Sequence, residues 1–306
     1  MSATQSSTIK IWALTDNKPG HRNQLEGLLS ALSEYRHIDI KWITVDRHIQ
    51  GLSNLLTGKN TANTSSDSPP DLLISAGHRT HLQLLALKRS LKKPAVVLMK
   101  PSLPLSWFDL CLIPRHDKIN QTRNVIQTTG PINRIIPGKQ QQADTGLILL
   151  GGTSRHFDWH SHSVVQQIQQ LVKNNPHCKW QIATSRRTPE DFLTLANTQL
   201  NSTNIVTPEQ TNKDWLPQNM QRSEQIWVTE DSVSMVYEAI TSGAKVGLIT
   251  LTHNKQNRVT EEMQQLLKEG RVSSLQHPAS LSATSLPPLN EARRCARLLL
   301  QRLDLQ

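Results

Sequence analysis

Residues 15–24 hold the first group of side chains that could do chemistry, between a predicted strand and a predicted helix. The segment reads Thr-Asp-Asn-Lys-Pro-Gly-His-Arg-Asn-Gln, and the junction of strand and helix is where open α/β sheets bind ligands. Gly20 permits a tight turn and close approach of a ligand to the backbone. Because histidine titrates near neutral pH, His21 is a candidate general base for the proton of an acceptor hydroxyl. The alternative is an N-capping loop with an exposed histidine.

A second polar group lies at 228–239, where another strand turns into a helix through acids and hydroxyls. Asp231 or Ser232 can cap this helix, which leaves Ser234 free near its N-terminus. Glu238 follows on the helix face that Ser234 shares, where a carboxylate could hold the hydroxyls of a ribose. Capping alone explains Asp231 and Ser232 but leaves the density of polar groups unexplained.

Glycines and arginines follow two further predicted strands, in the segments 151–155 (Gly-Gly-Thr-Ser-Arg) and 184–189 (Thr-Ser-Arg-Arg-Thr-Pro). This composition at strand ends suits the binding of a diphosphate. A lone glycine loop is weak support, and its recurrence at strand ends of one domain is stronger. The sequence contains neither Gly-x-Gly-x-x-Gly nor Gly-x-x-x-x-Gly-Lys-Ser/Thr, which disfavours NAD-dependent dehydrogenases and P-loop nucleotide triphosphatases.

The run 156–162 (His-Phe-Asp-Trp-His-Ser-His) offers potential metal ligands at alternate positions. Structural zinc sites prefer cysteine-containing or helix-spaced ligand sets, so we favour exposed histidines after a glycine turn. The chain also lacks an Asp-x-Asp pair that could anchor a metal-bound nucleotide sugar. We therefore expect metal-free chemistry.

Strands and helices alternate along the chain in an order that places these polar segments at strand ends. In the first half, the apolar patterns predict elements at 9–14, 23–33, 38–45, 71–75, 81–90, 95–99 and 110–113, with a surface loop at 59–70. The pattern restarts after a connector at 137–144, with elements at 146–150, 163–172, 180–184, 225–229, 245–250 and 289–303. This alternation is typical of a mostly parallel sheet covered by helices. We therefore predict two Rossmann-like α/β domains, residues 1–140 and 141–306, facing across a cleft.

Length, charge and cysteine content narrow the class of protein. At 306 residues the chain exceeds what one hydrophobic core usually organises, which agrees with two domains. The net charge of +10 favours anionic partners, while dispersed basic residues and the lack of a recognisable motif disfavour nucleic acid. Three scattered cysteines fit a reducing compartment. With neither a secretory signal nor a long apolar segment in the sequence, we expect a cytoplasmic protein.

The basic amphipathic helix predicted at 289–303 has two interpretations. Its arginines and its leucine face could lie on the inner surface of the cell membrane. Because the apolar side carries no tryptophan or phenylalanine, we favour packing against the body of the protein. Peripheral contact with a membrane is the alternative.

With these segments collected, the chain resembles the mitochondrial-fission (elongated-mitochondria) family and its bacterial relatives, which are classed as glycosyltransferases of the GT-B type. The resemblance covers nearly the whole chain. The matching blocks occur in the family's order, at 15–24, 75–80, 113–117, 151–157, 184–189 and 229–239. It implies an acceptor side in residues 1–140 and a nucleotide-sugar donor side in residues 141–306. The implied reaction is metal-independent transfer of a sugar, with a nucleotide-diphosphate sugar as co-substrate and no tightly bound cofactor.

The resemblance also implies roles for individual residues. His21 is similar in position to the histidine after a glycine-rich first loop in lipid-linked N-acetylglucosamine transferases, which makes it the candidate catalytic base. The residues expected on the acceptor substrate are Asp16, Gly20, Gln24, Gly77, Arg79, His116 and Asp117. The residues expected on the donor are Gly151, Gly152, Ser154, Arg155, Ser185, Arg186, Glu230, Asp231, Ser232, Ser234, Met235 and Glu238. The resemblance does not identify the acceptor, which could be a lipid or an envelope glycan.

Two other functions are compatible with the same sequence. Some nucleotide-sugar epimerases share the two-domain fold and would need the donor site without an acceptor. A non-catalytic scaffold would keep the fold and use its basic surface to meet acidic lipids at a membrane.

Overall fold

A computed structural model describes residues 8–45, 68–120, 122–139, 141–200, 203–253, 257–276 and 289–305. The chain divides into two compact units, which we call unit 1 (Met1–Arg134 and Glu291–Gln306) and unit 2 (Ile135–Asn290). Among the described residues each unit holds one six-stranded sheet, and every pairing between its strands is parallel. The predicted α/β class with two Rossmann-like domains is confirmed.

Unit 1 alternates strands and helices, as its sequence pattern predicts. Its strands are β1 (Ile9–Thr15), β2 (Ile38–Thr44), β3 (Leu72–Ala76), β4 (Ala95–Leu98), β5 (Leu110–Pro114) and β6 (Val125–Thr128). Its helices, numbered along the whole chain, are α1 (Pro19–Ser33), α2 (His81–Leu91) and α8 (Glu291–Arg302). The strands lie side by side in the order β2-β1-β3-β4-β5-β6.

The sheet of unit 1 is covered on both faces. Successive side chains of a strand point to opposite faces, so Ile11 and Ala13 of β1 pack in one apolar cluster with residues of α1 and α8. Trp12 and Leu14 pack in the other cluster, with residues of α2. Burial on both faces explains why the central strands β3, β4 and β5 are almost continuously apolar, whereas the outermost strand β2 alternates apolar residues with Asp39 and Lys41.

Unit 2 repeats this architecture. Its strands are β7 (Gln142–Leu149), β8 (Lys179–Ala183), β9 (Asn204–Val206), β10 (Ser223–Thr229), β11 (Lys245–Ile249) and β12 (Ser273–Ser274), in the order β12-β11-β10-β7-β8-β9. Its helices are α3 (Ser161–Asn174), α4 (Glu190–Gln199), α5 (Trp215–Arg222), α6 (Val233–Ser242) and α7 (Arg258–Lys268). Helices α3 and α4 pack on one face of the sheet, and α5, α6 and α7 pack on the other.

The last helix belongs to unit 1, whereas the sequence division placed it in the second domain. Its apolar face is buried, since Cys295, Ala296 and Leu299 are fully covered in the same cluster as α1 and β1. Apolar burial of this extent favours packing over contact with a membrane. Among the described residues, none of the helices has the length and apolar character needed to cross a membrane.

The arginines of α8 protect the edge of the sheet. Strand β6 is the outermost strand on its side, and an edge strand presents unpaired backbone groups to solvent. Arg294 Nη2 donates to one β6 carbonyl, and Arg302 Nη1 donates to carbonyls at and just before the strand. The accepting residues alternate along the chain at Gln127, Val125 and Arg123. The basic face of α8 therefore has a structural use in unit 1.

The prediction missed three short strands, β6, β9 and β12. Strands of two to four residues are too short for a periodic pattern to distinguish them from loops. Helix α1 begins at Pro19 instead of 23, because proline is pre-organised for the first position of a helix. Most of the predicted loop at 59–70 lies outside the described residues.

Candidate active site

The carboxyl edge of the unit 1 sheet has a switch point between β1 and β3. From β1 the chain first adds β2 on one side and then β3 on the other, and ligands of open α/β sheets bind where this reversal occurs. Strands β1 and β3 are paired at their ends, with Thr15 opposite Ala76. The next residues along the chain, Asp16 and Gly77, therefore stand side by side at the switch point.

Asp16 and His21 form a hydrogen-bonded pair at this edge. His21 Nδ1 lies 2.7 Å from Asp16 Oδ1, and the side chains of His21 and Asp16 are 18% and 1% exposed. The turn is held by the Lys18 backbone N–H, which donates to the same carboxylate oxygen at 3.3 Å. Because an ionised carboxylate only accepts hydrogen bonds, the pair favours the proton on Nδ1 and leaves the Nε2 lone pair available.

The Asp16 carboxyl is suited to remain ionised beside His21. Burial raises its pKa, but the hydrogen bond and charge of His21, together with Lys18, outweigh that effect and bring the pKa below its usual value. Asp16 Oδ2 and the nearby Ser75 Oγ are buried and, among the described residues, have no hydrogen-bond partner. Such atoms are uncommon in folded proteins, and two of them mark this switch point as polar.

Gly77 fits the close approach that the pair requires. Its φ is +100°, a backbone conformation that side chains other than hydrogen rarely tolerate. A Cβ atom at this position would lie 2.5 Å from His21 Nδ1 and 2.9 Å from Asp16 Oδ2. Glycine therefore allows the His21 ring to lie against the end of β3.

The other acceptor-side residues predicted from the sequence lie at this same edge with different environments. No atom of the described residues lies within 4 Å of the place where a Cβ on Gly20 would be. Gln24 is buried in α1, and its Nε2 lies 3.2 Å from Met99 Sδ. Arg79 is exposed in a short 3₁₀ turn after β3, and His116 and Asp117 lie in a similar turn after β5.

Unit 2 has its own switch point, between β7 and β10. From β7 the chain adds β8 and β9 on one side and then β10 on the other. The Gly151–Gly152 turn follows β7, and Asp231 follows β10. The two segments are tied together, because Gly151 N–H donates to Thr229 Oγ1 at 2.7 Å and Gly152 N–H donates to Asp231 Oδ2 at 3.2 Å.

The loop after β8 fixes the glycine turn from the other side. Ser185 Oγ and Thr188 Oγ1 both donate to the Gly151 carbonyl, at 2.5 and 2.6 Å. A Cβ on Gly152 would lie 2.0 Å from the carbonyl oxygen of Arg187, so only glycine permits this backbone contact. Ser185, a predicted donor ligand, therefore has a structural role in holding the turn.

An ion pair that was not predicted from the sequence joins the loop after β8 to the segment after β10. Arg187 Nη1 lies 2.7 Å from Asp231 Oδ2, and the two side chains are 44% and 0% exposed. The sequence pattern had singled out the neighbouring Arg186 instead. The pattern offered no signal to distinguish the two, because only the fold shows which of two adjacent arginines reaches across the turn.

Helix α6 starts at this switch point with an uncapped N-terminus. Ser232 occupies the N-cap position, but its side chain makes no capping hydrogen bond. Ser234 is exposed in the first turn, and Glu238 and Met235 are partly buried further along. A helix start of this kind presents backbone N–H groups to an anion.

The remaining donor-side residues serve the loops around the switch point. Ser154 Oγ accepts the backbone N–H groups of His156 and Phe157, and Arg155 Nε donates to His156 Nε2 at 3.1 Å. Glu230 Oε1 accepts the backbone N–H of Leu251 at 2.7 Å. Burial raises the pKa of the Glu230 carboxyl, with Asp231 adding to the rise and Leu251 and His253 opposing it.

The histidine-rich run at 156–162 does not assemble a metal site in the described part of the chain. Nowhere among those residues do three or more histidine, cysteine, aspartate or glutamate side chains come together in a way that could hold a metal ion. Asp158 instead forms an isolated bridge with Thr252, and His160 precedes α3 as its N-cap residue.

Two parallel α/β units, each with a polar switch point at its carboxyl edge, define the GT-B class of fold. Within this class, the chain belongs to the mitochondrial fission ELM1 family, whose model matches residues 19–303. The predicted family is therefore confirmed.

Comparison with individual proteins supports the fold assignment. The uncharacterized protein RP120 of Rickettsia prowazekii (strain Madrid E) is 20% identical over 350 residues, covering 95% of this chain and 98% of that protein. The UDP-GlcNAc 2-epimerase of Neisseria meningitidis, solved with UDP-GlcNAc bound, is 13% identical with a TM-score of 0.57, covering 97% of this chain and 100% of that one. MurG of Acinetobacter baumannii is 11% identical with a TM-score of 0.53, covering 97% of this chain and 93% of that one. At these identities the two solved structures show a shared fold.

Proposed function

We propose that the chain is a glycosyltransferase that moves a sugar from a nucleotide-diphosphate donor to an acceptor hydroxyl without a metal ion. The observation that carries the proposal is the unit 2 switch point, where the uncapped start of α6 adjoins the Gly151–Gly152 turn. Helix starts and glycine turns bind phosphate oxygens through backbone N–H groups. The solved proteins of similar fold include one with a bound nucleotide sugar, which supports this choice of ligand class.

The donor is proposed to lie along the first turns of α6. The backbone N–H groups at the helix start would receive the diphosphate, and Glu238, on the same helix face as exposed Ser234, would accept hydrogen bonds from the ribose hydroxyls. Departure of the diphosphate then relies on fixed dipoles and positive charge at the site.

The acceptor hydroxyl is proposed to be activated by His21. His21 donates a hydrogen bond from Nδ1–H to Asp16 and keeps that proton. The ring can then accept the hydroxyl proton at Nε2, as the histidine general base does in catalytic dyads and triads. The oxygen then forms a bond to the anomeric carbon of the sugar, and the bond from that carbon to the diphosphate oxygen breaks. Attack opposite the leaving group gives inversion at the sugar.

Calorimetric titration of the full chain with UDP, GDP, CDP and ADP sugars tests the donor assignment. We expect binding of one nucleotide class, and at least about tenfold weaker binding for Glu238→Gln, because a charged hydrogen bond contributes roughly 1.5–3 kcal/mol. The matched control is Glu34→Gln, which removes a surface partner of Arg293 at 3.2 Å and should leave binding unchanged. If none of the nucleotide sugars binds at concentrations well above the dissociation constants typical of such donors, the donor-site assignment is wrong.

Nucleotide-sugar epimerisation is the second candidate, favoured by the fold shared with the UDP-GlcNAc 2-epimerase. An epimerase would use the same donor site and change the sugar without transferring it. Incubation with the bound nucleotide sugar in the absence of acceptor separates the two functions. A transferase leaves the sugar configuration intact, and an epimerase yields a new stereoisomer that is still attached to the nucleotide.

A further inference from the structure

Arg187 is placed across the unit 2 switch point. It lies in the loop after β8, and its Nη1 reaches Asp231 after β10 at 2.7 Å and the carbonyl of Thr153 after β7 at 3.2 Å. Strands β8, β7 and β10 are neighbours in the sheet. The contacts of the guanidinium therefore link the segments that follow three neighbouring strands.

Asp231 is an anchor for this arginine. Its side chain is 0% exposed, and a Cβ on Gly151 would lie 2.2 Å from the carboxylate, which shows how tightly the group is enclosed. A buried carboxylate requires an opposite charge or hydrogen bonds to offset its desolvation. Asp231 Oδ2 obtains both, from Arg187 and from the Gly152 N–H at 3.2 Å.

The rest of the guanidinium is available to a ligand. The Arg187 side chain is 44% exposed. Arginine carries five N–H donors, and within the described residues only Nη1 of Arg187 has a partner. An arginine fixed on one side and open on the other is pre-organised for a phosphate oxygen, because little conformational freedom is lost on binding.

The two arginines named from the sequence lack this arrangement. Arg155 Nε donates to the adjacent His156 at 3.1 Å, which is a local contact on an exposed loop. Arg186 is exposed, and its charge interacts with that of the exposed Glu209. Among the described residues, neither contacts a buried carboxylate that sets the direction of its guanidinium.

We propose that Arg187, held in place by Asp231, binds the diphosphate of the nucleotide-sugar donor. The assignment rests on the donor site proposed above and names the side chain that recognises the diphosphate. It also gives the buried acid a role. Asp231 is paired with Arg187 and Gly152, and within the described part of the chain no side chain caps the start of α6, so the N–H groups of that turn can bind the same phosphates.

Calorimetry with UDP and with uridine on the full chain tests the assignment. Arg187→Met should weaken UDP binding roughly 10- to 100-fold and leave uridine binding within about twofold, since the lost contacts are to phosphate. The matched control is Arg222→Met, which removes the same charge from an exposed position before the start of β10, at the opposite edge of the sheet, and should change UDP binding less than about threefold. Equal losses for the two variants would overturn the role of Arg187. If the wild-type chain binds no UDP, GDP, CDP or ADP, the donor site itself fails.

Two further variants guard against misfolding and against a simple charge effect. The double variant Arg187→Met with Asp231→Asn removes both charges of the ion pair, so no buried charge is left unpaired. This protein should fold and still bind UDP weakly. Asp231→Asn alone should also weaken UDP binding severalfold, because the arginine loses its anchor. If charge alone mattered, removing a carboxylate would tighten the binding of an anion. Tighter binding by this variant would therefore refute the anchoring role.

Discussion

Substitution of Gly77 by alanine should disrupt the Asp16–His21 pair and destabilise unit 1. The new Cβ would lie 2.5 Å from His21 Nδ1 and 2.9 Å from Asp16 Oδ2, both too close for real contacts. The backbone adds a second penalty, because φ at this position is +100°. The histidine ring must move, and its 2.7 Å hydrogen bond to Asp16 is lost.

These two effects together set the loss in the free energy of unfolding. A non-glycine residue held in a sparsely populated backbone region costs about 1–3 kcal/mol. A hydrogen bond to a charged group contributes roughly 1.5–3 kcal/mol. The lower bounds together give about 2.5 kcal/mol, which for the melting of a unit with the size of unit 1 corresponds to a fall in Tm of about 5–10 °C.

Differential scanning calorimetry of the variant measures this loss, with Gly20→Ala as the matched control. Gly20 lies in the first turn of α1 with no atom within 4 Å of its Cβ position, and alanine favours a helix over glycine by about 0.8–1 kcal/mol. The control should therefore melt at the wild-type temperature or slightly above it. A Gly77→Ala protein that melts within about 1 °C of wild type would refute the close-packing argument.

Three further predictions follow from single contacts. Asp16→Asn should remove the preference of His21 for a proton on Nδ1, and long-range ¹H–¹⁵N spectra would contradict the dyad if the tautomer did not change. Arg294→Met should uncover the β6 edge and promote self-association in light scattering, whereas exposed Arg293→Met should not; equal behaviour would argue against edge protection. Glu230→Gln should gain stability relative to wild type as pH rises above 4.5, because the raised pKa makes the folded state hold the proton that the unfolded state releases. A constant difference in Tm across that range would contradict this sign.

Strand and helix order was readable from the sequence because burial on both faces makes the central strands apolar runs. The runs around Ile11, Ile74 and Val97 have no polar alternation, and the helices between them show the spacing of one covered face. The short edge strand β6 was not predicted, because four residues are too few to show a periodic apolar pattern. The assignment of α8 to unit 1 also escaped, because chain order does not record which unit a returning helix packs against.

The sequence by itself determined that polar residues stand at several strand ends, because the apolar runs before Asp16, Gly77, Arg115, Gly151 and Glu230 are each followed closely by glycine, an acid, a hydroxyl or arginine. It pointed to His21 and to Asp231 in this way, but it could not identify the partner of either side chain. Only the tertiary structure decided that His21 contacts Asp16 and that Arg187, not Arg186, reaches Asp231. The physical reason is that strand order in a parallel sheet brings together residues that lie far apart in the chain, and side-chain direction follows from packing that no local pattern contains.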